Sequence, residues 1–138
     1  MSHPENRFID KVHRKLRPLK KSRAFYYAKI QVSGNNGWPD CYYSGDKADL
    51  WAEYKWVSQR DFPKRDATQI KLGASKNQRS WLQGRHSEGR SVCLIIGSPY
   101  GHVVLVPPLP ESISRADFMF CALDTEQLVG YIRGSVLK

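Results

Sequence analysis

Apolar positions recur at helical spacing near the start of the chain, where Phe8, Ile9, Val12 and Leu16 line one face of a predicted helix. Ser2-His3-Pro4-Glu5 ahead of them reads as a helix start, with Ser as the cap, Pro in the first turn and Glu three residues after the Ser as in a capping box. That helix is expected to end near Pro18. Residues 24 to 32 are rich in Phe, Tyr, Ile and Val and read as a first strand, followed by the loop Ser33-Gly34-Asn35-Asn36-Gly37, whose residue types tolerate positive φ. Residues 40 to 43 and 49 to 57 form a predicted hairpin, because Tyr, Trp, Leu and Val dominate them and Ser44-Gly45-Asp46-Lys47 supplies turn chemistry between them. Side chains alternate along a strand, so Glu53 and Lys55 share one face while Ala52, Tyr54 and Trp56 share the other.

Residues 58 to 73 are polar, with Phe62, Pro63 and Ile70 interspersed, and read as a surface excursion. Ser75 is placed to cap a helix running to about His86, with Trp81 and Leu82 facing inward and Lys76, Arg79 and Arg85 outward. The unbroken apolar run from 91 to 97 marks a buried strand, Ser98-Pro99-Tyr100-Gly101 turns the chain, and His102 to Val106 makes a further strand halted by Pro107-Pro108. Residues 109 to 123 carry no decisive periodicity. Asp124 or Thr125 then caps a last helix packed through Leu128, Val129 and Ile132. The order of helix, three strands, helix, two strands and helix predicts an α/β protein with helices flanking a central mixed sheet. At 138 residues the chain suits one domain with a single core.

Charge narrows the partners. A formal net charge of +9 and a pI near 9.6 point to a polyanion, with nucleic acid the expected one, against the alternative of a basic surface serving solubility or a ribosomal association. No apolar run is long enough to span a membrane, the N-terminus lacks a signal-peptide core, and a cytoplasmic location is the expectation. Cys41, Cys93 and Cys121 are odd in number and widely spaced, which argues against a disulfide framework or a zinc site and for reduced thiols. His3, His13, His86 and His102 show no ligand spacing either.

Candidate chemistry lies in Gly37-Trp38-Pro39-Asp40 and Glu53-Tyr54-Lys55. A turn delivering one carboxylate and a strand delivering a second carboxylate and an ammonium are what metal-assisted phosphodiester cleavage requires. A solvated strand face would also place Glu and Lys two apart, and Glu5 serves equally well as a simple helix cap. The Pro-Asp and Glu-x-Lys pair resembles the PD-(D/E)XK nuclease superfamily, and two further elements match in order: an acidic residue in the first helix, Glu5, and Ser75-Lys76-Asn77-Gln78, which resembles the Ser-x-x-Gln signature of the VRR-NUC branch and its Holliday-junction-resolvase relatives. The resemblance spans roughly residues 4 to 107; the last thirty carry no motif of that family.

That resemblance implies a restriction-endonuclease-like core of order αβββαβ. It implies that Asp40 and Glu53 hold Mg²⁺ or Mn²⁺, with Glu5 completing the acidic shell and the Tyr54 carbonyl as a further ligand. Lys55 would contact the attacking water or a phosphate oxygen, and Gln78 would orient Lys55, the water or the phosphate. Lys11, Arg14, Lys15, Lys20, Lys21 and Arg23, the loop cations Arg60, Lys64, Arg65 and Lys71, and Lys76 and Arg79 are then the expected contacts to DNA phosphates. The activity expected is endonucleolytic cleavage of duplex or branched DNA, by a resolvase-like or a phage-type homing enzyme. A homodimer would join through apolar strands and the Phe118-Met119-Phe120 segment. The competing readings are a non-catalytic nucleic-acid-binding module whose acids and Lys form an ion pair, and a nuclease directed at RNA.

Overall fold

A mixed sheet of five strands carries the chain, built in the order β1 (Phe25–Lys29), β2 (Cys41–Gly45), β3 (Asp49–Trp56), β5 (Val92–Ser98) and β6 (Gly101–Leu105). The computed structural model describes residues 3–22, 24–30 and 37–138, without the side chains of residues 20–22. β3 and β5 run parallel, and the remaining neighbours pair antiparallel. A parallel pair needs a long crossover, and β4 (Gln69–Lys71) with α2 (Lys76–Ser87) supplies it.

Alternation along β3 decides which layer each side chain joins. Ala52 and Tyr54, with Cys93 and Ile95 of β5, pack under α1 (Pro4–Leu16) and α4 (Thr125–Val136). Leu94 and Ile96 point the other way and pack with Leu82 of α2, Phe118 of α3 (Arg115–Cys121), and the small sheet formed by β4 and β7 (Ser112–Ser114). Burial of both faces explains why β5 is apolar from Val92 to Ile96. Gly97 lets Phe8 press onto the sheet, since a Cβ there would meet the Phe8 ring at 2.4 Å.

Several expectations need correction. The α1 cap is His3, whose ring accepts from the Glu5 amide, while the expected cap Ser2 lies outside the described residues. The α-helix does end near Pro18, at Leu16, but the chain then continues as a 3-10 helix, Arg17–Ser22. The first strand occupies Phe25–Lys29, so Ala24 and Ile30 fall outside it, and residues 31–32 of the expected strand and the loop at 33–36 lie outside the described residues. Residues 58–73 are more than a surface excursion, because Phe62, Ile70 and Leu72 are buried and β4 pairs with β7 far along the chain. The undecided stretch 109–123 supplies β7 and α3. Within Phe118-Met119-Phe120, Phe118 belongs to the core and only Met119 and Phe120 are exposed.

Candidate active site

Asp40 stands one residue before β2, in a bend whose carbonyl accepts from the Ile30 amide at 2.7 Å. Because the register pairs Cys41 with Ala52, Asp40 falls beside Glu53. The Tyr54 amide donates to Asp40 Oδ2 at 2.8 Å, so the backbone between Glu53 and Lys55 orients the first carboxylate. The preceding Gly37 has φ +81, and a Cβ on it would lie 2.4 Å from the Asn77 carbonyl oxygen. The turn carrying Asp40 is therefore pressed against the first turn of α2. Trp38 reinforces the contact, with ring centroids 5.6 Å from Trp81 and 6.0 Å from Trp51.

Glu53 is the most unusual group in the fold. It is 1% exposed, and neither carboxylate oxygen has a hydrogen-bond partner among the described residues. Burial pushes its carboxyl up to about 9; the Asp40 side chain, close enough to share a proton with it though outside strict hydrogen-bond geometry, adds to the shift through that approach and then through its charge, and Lys55 opposes it. Glu5 in the first turn of α1 belongs to the same field: burial raises its carboxyl above the ordinary value, Asp40 raises it further, and Lys55 and His3 lower it. The sheet and α1 thus bring Glu5, Asp40, Glu53 and Lys55 together.

A buried carboxylate with free lone pairs beside a second carboxylate needs a positive charge between them or a proton. Asp40 and Glu53 offer oxygen donors alone, which suits a hard divalent cation that keeps several waters. On that test the pair fits Mg²⁺ or Mn²⁺. Among the described residues no group of three or more His, Cys, Asp or Glu is drawn together as a ready-made ligand set. Glu5 acts on the pair through its field.

Ser75 and Gln78 form a complete capping box: Ser75 Oγ accepts from the Gln78 amide at 3.1 Å, and Gln78 Oε1 accepts from the Ser75 amide at 2.9 Å. The Ser-x-x-Gln spacing therefore has a local structural explanation, and no hydrogen bond links Gln78 to Lys55 among the described residues. The loop ahead of α2 does reach Lys55, whose Cδ lies 3.7 Å from where a Gly73 Cβ would stand.

The expected phosphate contacts divide. Lys11, Arg14, Arg60, Lys64, Arg65, Lys71 and Lys76 are exposed. Lys15 pairs with Glu126 across α1 and α4, and Arg60 pairs with Asp61 at 3.6 Å. Arg79, expected to face outward, is half-buried and donates to the Pro110 carbonyl at 2.9 Å, so it braces the loop after β6. Arg23 and the side chains of Lys20 and Lys21 lie outside the described residues.

Sequence reasoning missed a buried polar chain beneath the site. His13 Nε2 and the Tyr43 hydroxyl share a 2.8 Å hydrogen bond, and the Tyr43 and Tyr54 hydroxyls share one of 2.6 Å. Burial raises both phenols well above their ordinary range, so they stay neutral and tie α1 to the strand bearing Glu53 and Lys55. The one available signal was the alternation along β3, which sends Tyr54 inward but names no partner.

No family model matches the chain, and no curated protein matches it. Among solved structures, Hjc, a Holliday junction resolvase from the archaeal hyperthermophile Archaeoglobus fulgidus, superposes with a TM-score of 0.52 at 14% identity, covering 88% of this chain and 99% of that one. At such identity the likeness is one of fold, and the protein has the α/β, restriction-endonuclease-like fold with its mixed sheet flanked by helices.

Proposed function

We propose that this protein is a divalent-metal-dependent DNA endonuclease that acts on branched DNA in the manner of a junction resolvase. The observation that carries the reading is the buried, unpartnered Glu53 carboxylate beside Asp40, with Lys55 two residues on along the same strand. A structural ion pair would satisfy Glu53, and a solvated strand face would expose it. The shared fold of a protein described as a Holliday junction resolvase supports a branched substrate, and the net charge of +9 supports a polyanionic one.

Held by Asp40 and Glu53, Mg²⁺ or Mn²⁺ would supply Lewis acidity toward a phosphate oxygen and a water of lowered pKa. The chain's own groups do the rest. The Tyr54 amide holds Asp40 in place, and the Gly37 turn fixes its approach. The Lys55 ammonium offsets negative charge gathering on the phosphate as the bond to the attacking oxygen forms. Glu5 adds negative field that strengthens cation capture. Exposed lysines and arginines hold the backbone without reading bases. A homodimer would supply the two symmetric cuts a four-way junction requires.

Purified protein incubated with four-way junctions, flaps, linear duplex and RNA, in Mg²⁺, Mn²⁺ or chelator, tests this directly. The expected result is metal-dependent nicking of branched DNA that Glu53→Gln loses by several orders of magnitude while binding persists. Cleavage that Glu53→Gln retains, or that is confined to RNA, overturns the proposal.

A further inference from the structure

A hollow of about 900 Å³ opens beside the N-terminal half of α1. Pro4 and Trp56 line it, the immediate neighbours of Glu5 and Lys55, and it runs between α1, the turn joining β5 to β6, and the start of α4. Its lining combines two chemistries. Arg7 and Lys11 face it from α1, a turn apart, and no carboxylate pairs with either among the described residues. Phe8, Trp56 and Tyr100 supply rings. The acid in the lining, Asp124, is committed as the α4 cap, accepting from the Gln127 amide at 2.7 Å. A second hollow of about 500 Å³ continues past Tyr100 and adds Arg60, Phe62 and Lys64.

Tyr100 stands on the ridge shared by both hollows and is 47% exposed. Its position is braced: its amide donates to Ser98 Oγ at 3.1 Å, that hydroxyl donates to the Gly101 carbonyl at 2.8 Å, and the ring leans on Phe62 at 4.8 Å between centroids. An aromatic ring held toward solvent by a braced turn, between cations, suits a polyanion that also carries flat apolar groups. Single-stranded nucleic acid has both, whereas a duplex hides the faces of its bases inside the stack and can satisfy the cations alone.

We infer that this groove binds unpaired DNA, receiving the nucleotides that leave the helix beside the cleaved bond, with Tyr100 stacking on a base and Arg7 and Lys11 neutralising phosphates. The inference rests on the proposed nuclease reading for the location of the cut, but strand binding can be measured separately. It also gives the enzyme a way to prefer branched over continuous duplex.

The test measures fluorescence anisotropy in chelator, with a blunt duplex, the same duplex carrying a single-stranded branch, and the branch strand alone. The wild type is expected to bind the branched ligand several-fold more tightly than the blunt one. Tyr100→Leu keeps apolar packing against Phe62 and is expected to lose about tenfold on the branched ligand, the loss of one stack, while Tyr100→Phe retains affinity. Arg7→Ala with Lys11→Ala is expected to weaken branch binding and flatten its salt dependence. A fluorescent adenine analogue in the branch should be quenched by the wild type and by Tyr100→Phe only. Thermal melts confirm folding, and should Tyr100→Leu fail to fold, the Arg7 and Lys11 pair decides. Equal affinity for blunt and branched DNA, or branch binding indifferent to these variants, overturns the inference. Tyr100-dependent branch binding by a protein that cuts no DNA would sink the nuclease reading and leave this one standing.

Discussion

Glu53 carries a stability cost, because in the fold its charge must be met by a positive partner or cancelled by a proton that an exposed carboxylate would release. Glu53→Gln replaces a buried carboxylate with a neutral group of the same shape, so in chelator it should raise stability by about 1 to 3 kcal/mol, read from urea denaturation. Ca²⁺ should raise the melting temperature of the wild type by binding the folded state, and that rise should vanish in Asp40→Ala and Glu53→Gln. An equal Ca²⁺ shift in all three proteins would place the ion elsewhere. His102 sets a separate dependence. It is buried, stacks on Phe8 at 4.6 Å, and has its pKa lowered from 6.5 by burial first and Lys11 second, with Asp124 and the Gly101 backbone opposing. The unfolded chain therefore takes up this proton at a higher pH than the folded one does. Stability should fall as pH drops below about 6.5 and level off below the folded value. His102→Gln should flatten that part of the melting-temperature profile.

Two short segments hold Asp40 and α2 in relation, and each has a substitution that separates shape from chemistry. Gly37→Ala meets both a left-handed φ and the Asn77 carbonyl, so it should destabilise by more than about 1 kcal/mol and displace the turn carrying Asp40. Cleavage should fall while junction binding remains; unchanged cleavage would show that the turn tolerates a shift. The α2 capping box divides otherwise. Ser75→Ala should cost about 0.5 to 2 kcal/mol, whereas Gln78→Glu preserves the box and should preserve stability. If capping is the whole role of Gln78, cleavage survives that change within about tenfold. A collapse of cleavage in a stably folded Gln78→Glu protein would return Gln78 to the chemistry.

Basic charge spread over many exposed side chains makes DNA affinity a property of the whole surface. Junction binding in chelator should weaken linearly in log–log form with salt, with a slope near −0.9 for each phosphate neutralised, and should change little with base sequence. A loss of about 1 to 3 kcal/mol for single base changes at particular positions would favour a site-specific enzyme instead. Phe120, at 91% exposed, and Met119 form an apolar spot at the end of α3. If a second copy covers it, sedimentation should report a dimer that Phe120→Asp converts to a monomer without unfolding it. A wild-type monomer on junction DNA would remove the symmetric-cut scheme.

What could be read along the chain is what local patterns encode. The apolar stripe of α1, the hairpin of β2 and β3, the apolar run of β5 and the caps at Ser75 and Asp124 each arise from residues a few positions apart, and the α/β order with a mixed central sheet followed from them. Period-two alternation also placed Glu53 and Lys55 together on the face opposite Tyr54. The pairing of β4 with β7 left no local trace, because Ile70 meets Ile113 only after the chain has crossed the sheet and returned. The same holds for the His13, Tyr43 and Tyr54 chain, whose members come from three different elements. Above all, a Glu on a strand reads alike whether solvated or buried. Layers packed on both faces of the sheet bury Glu53 without a partner, and desolvation by those long-range contacts makes an ordinary carboxylate a candidate for cation binding.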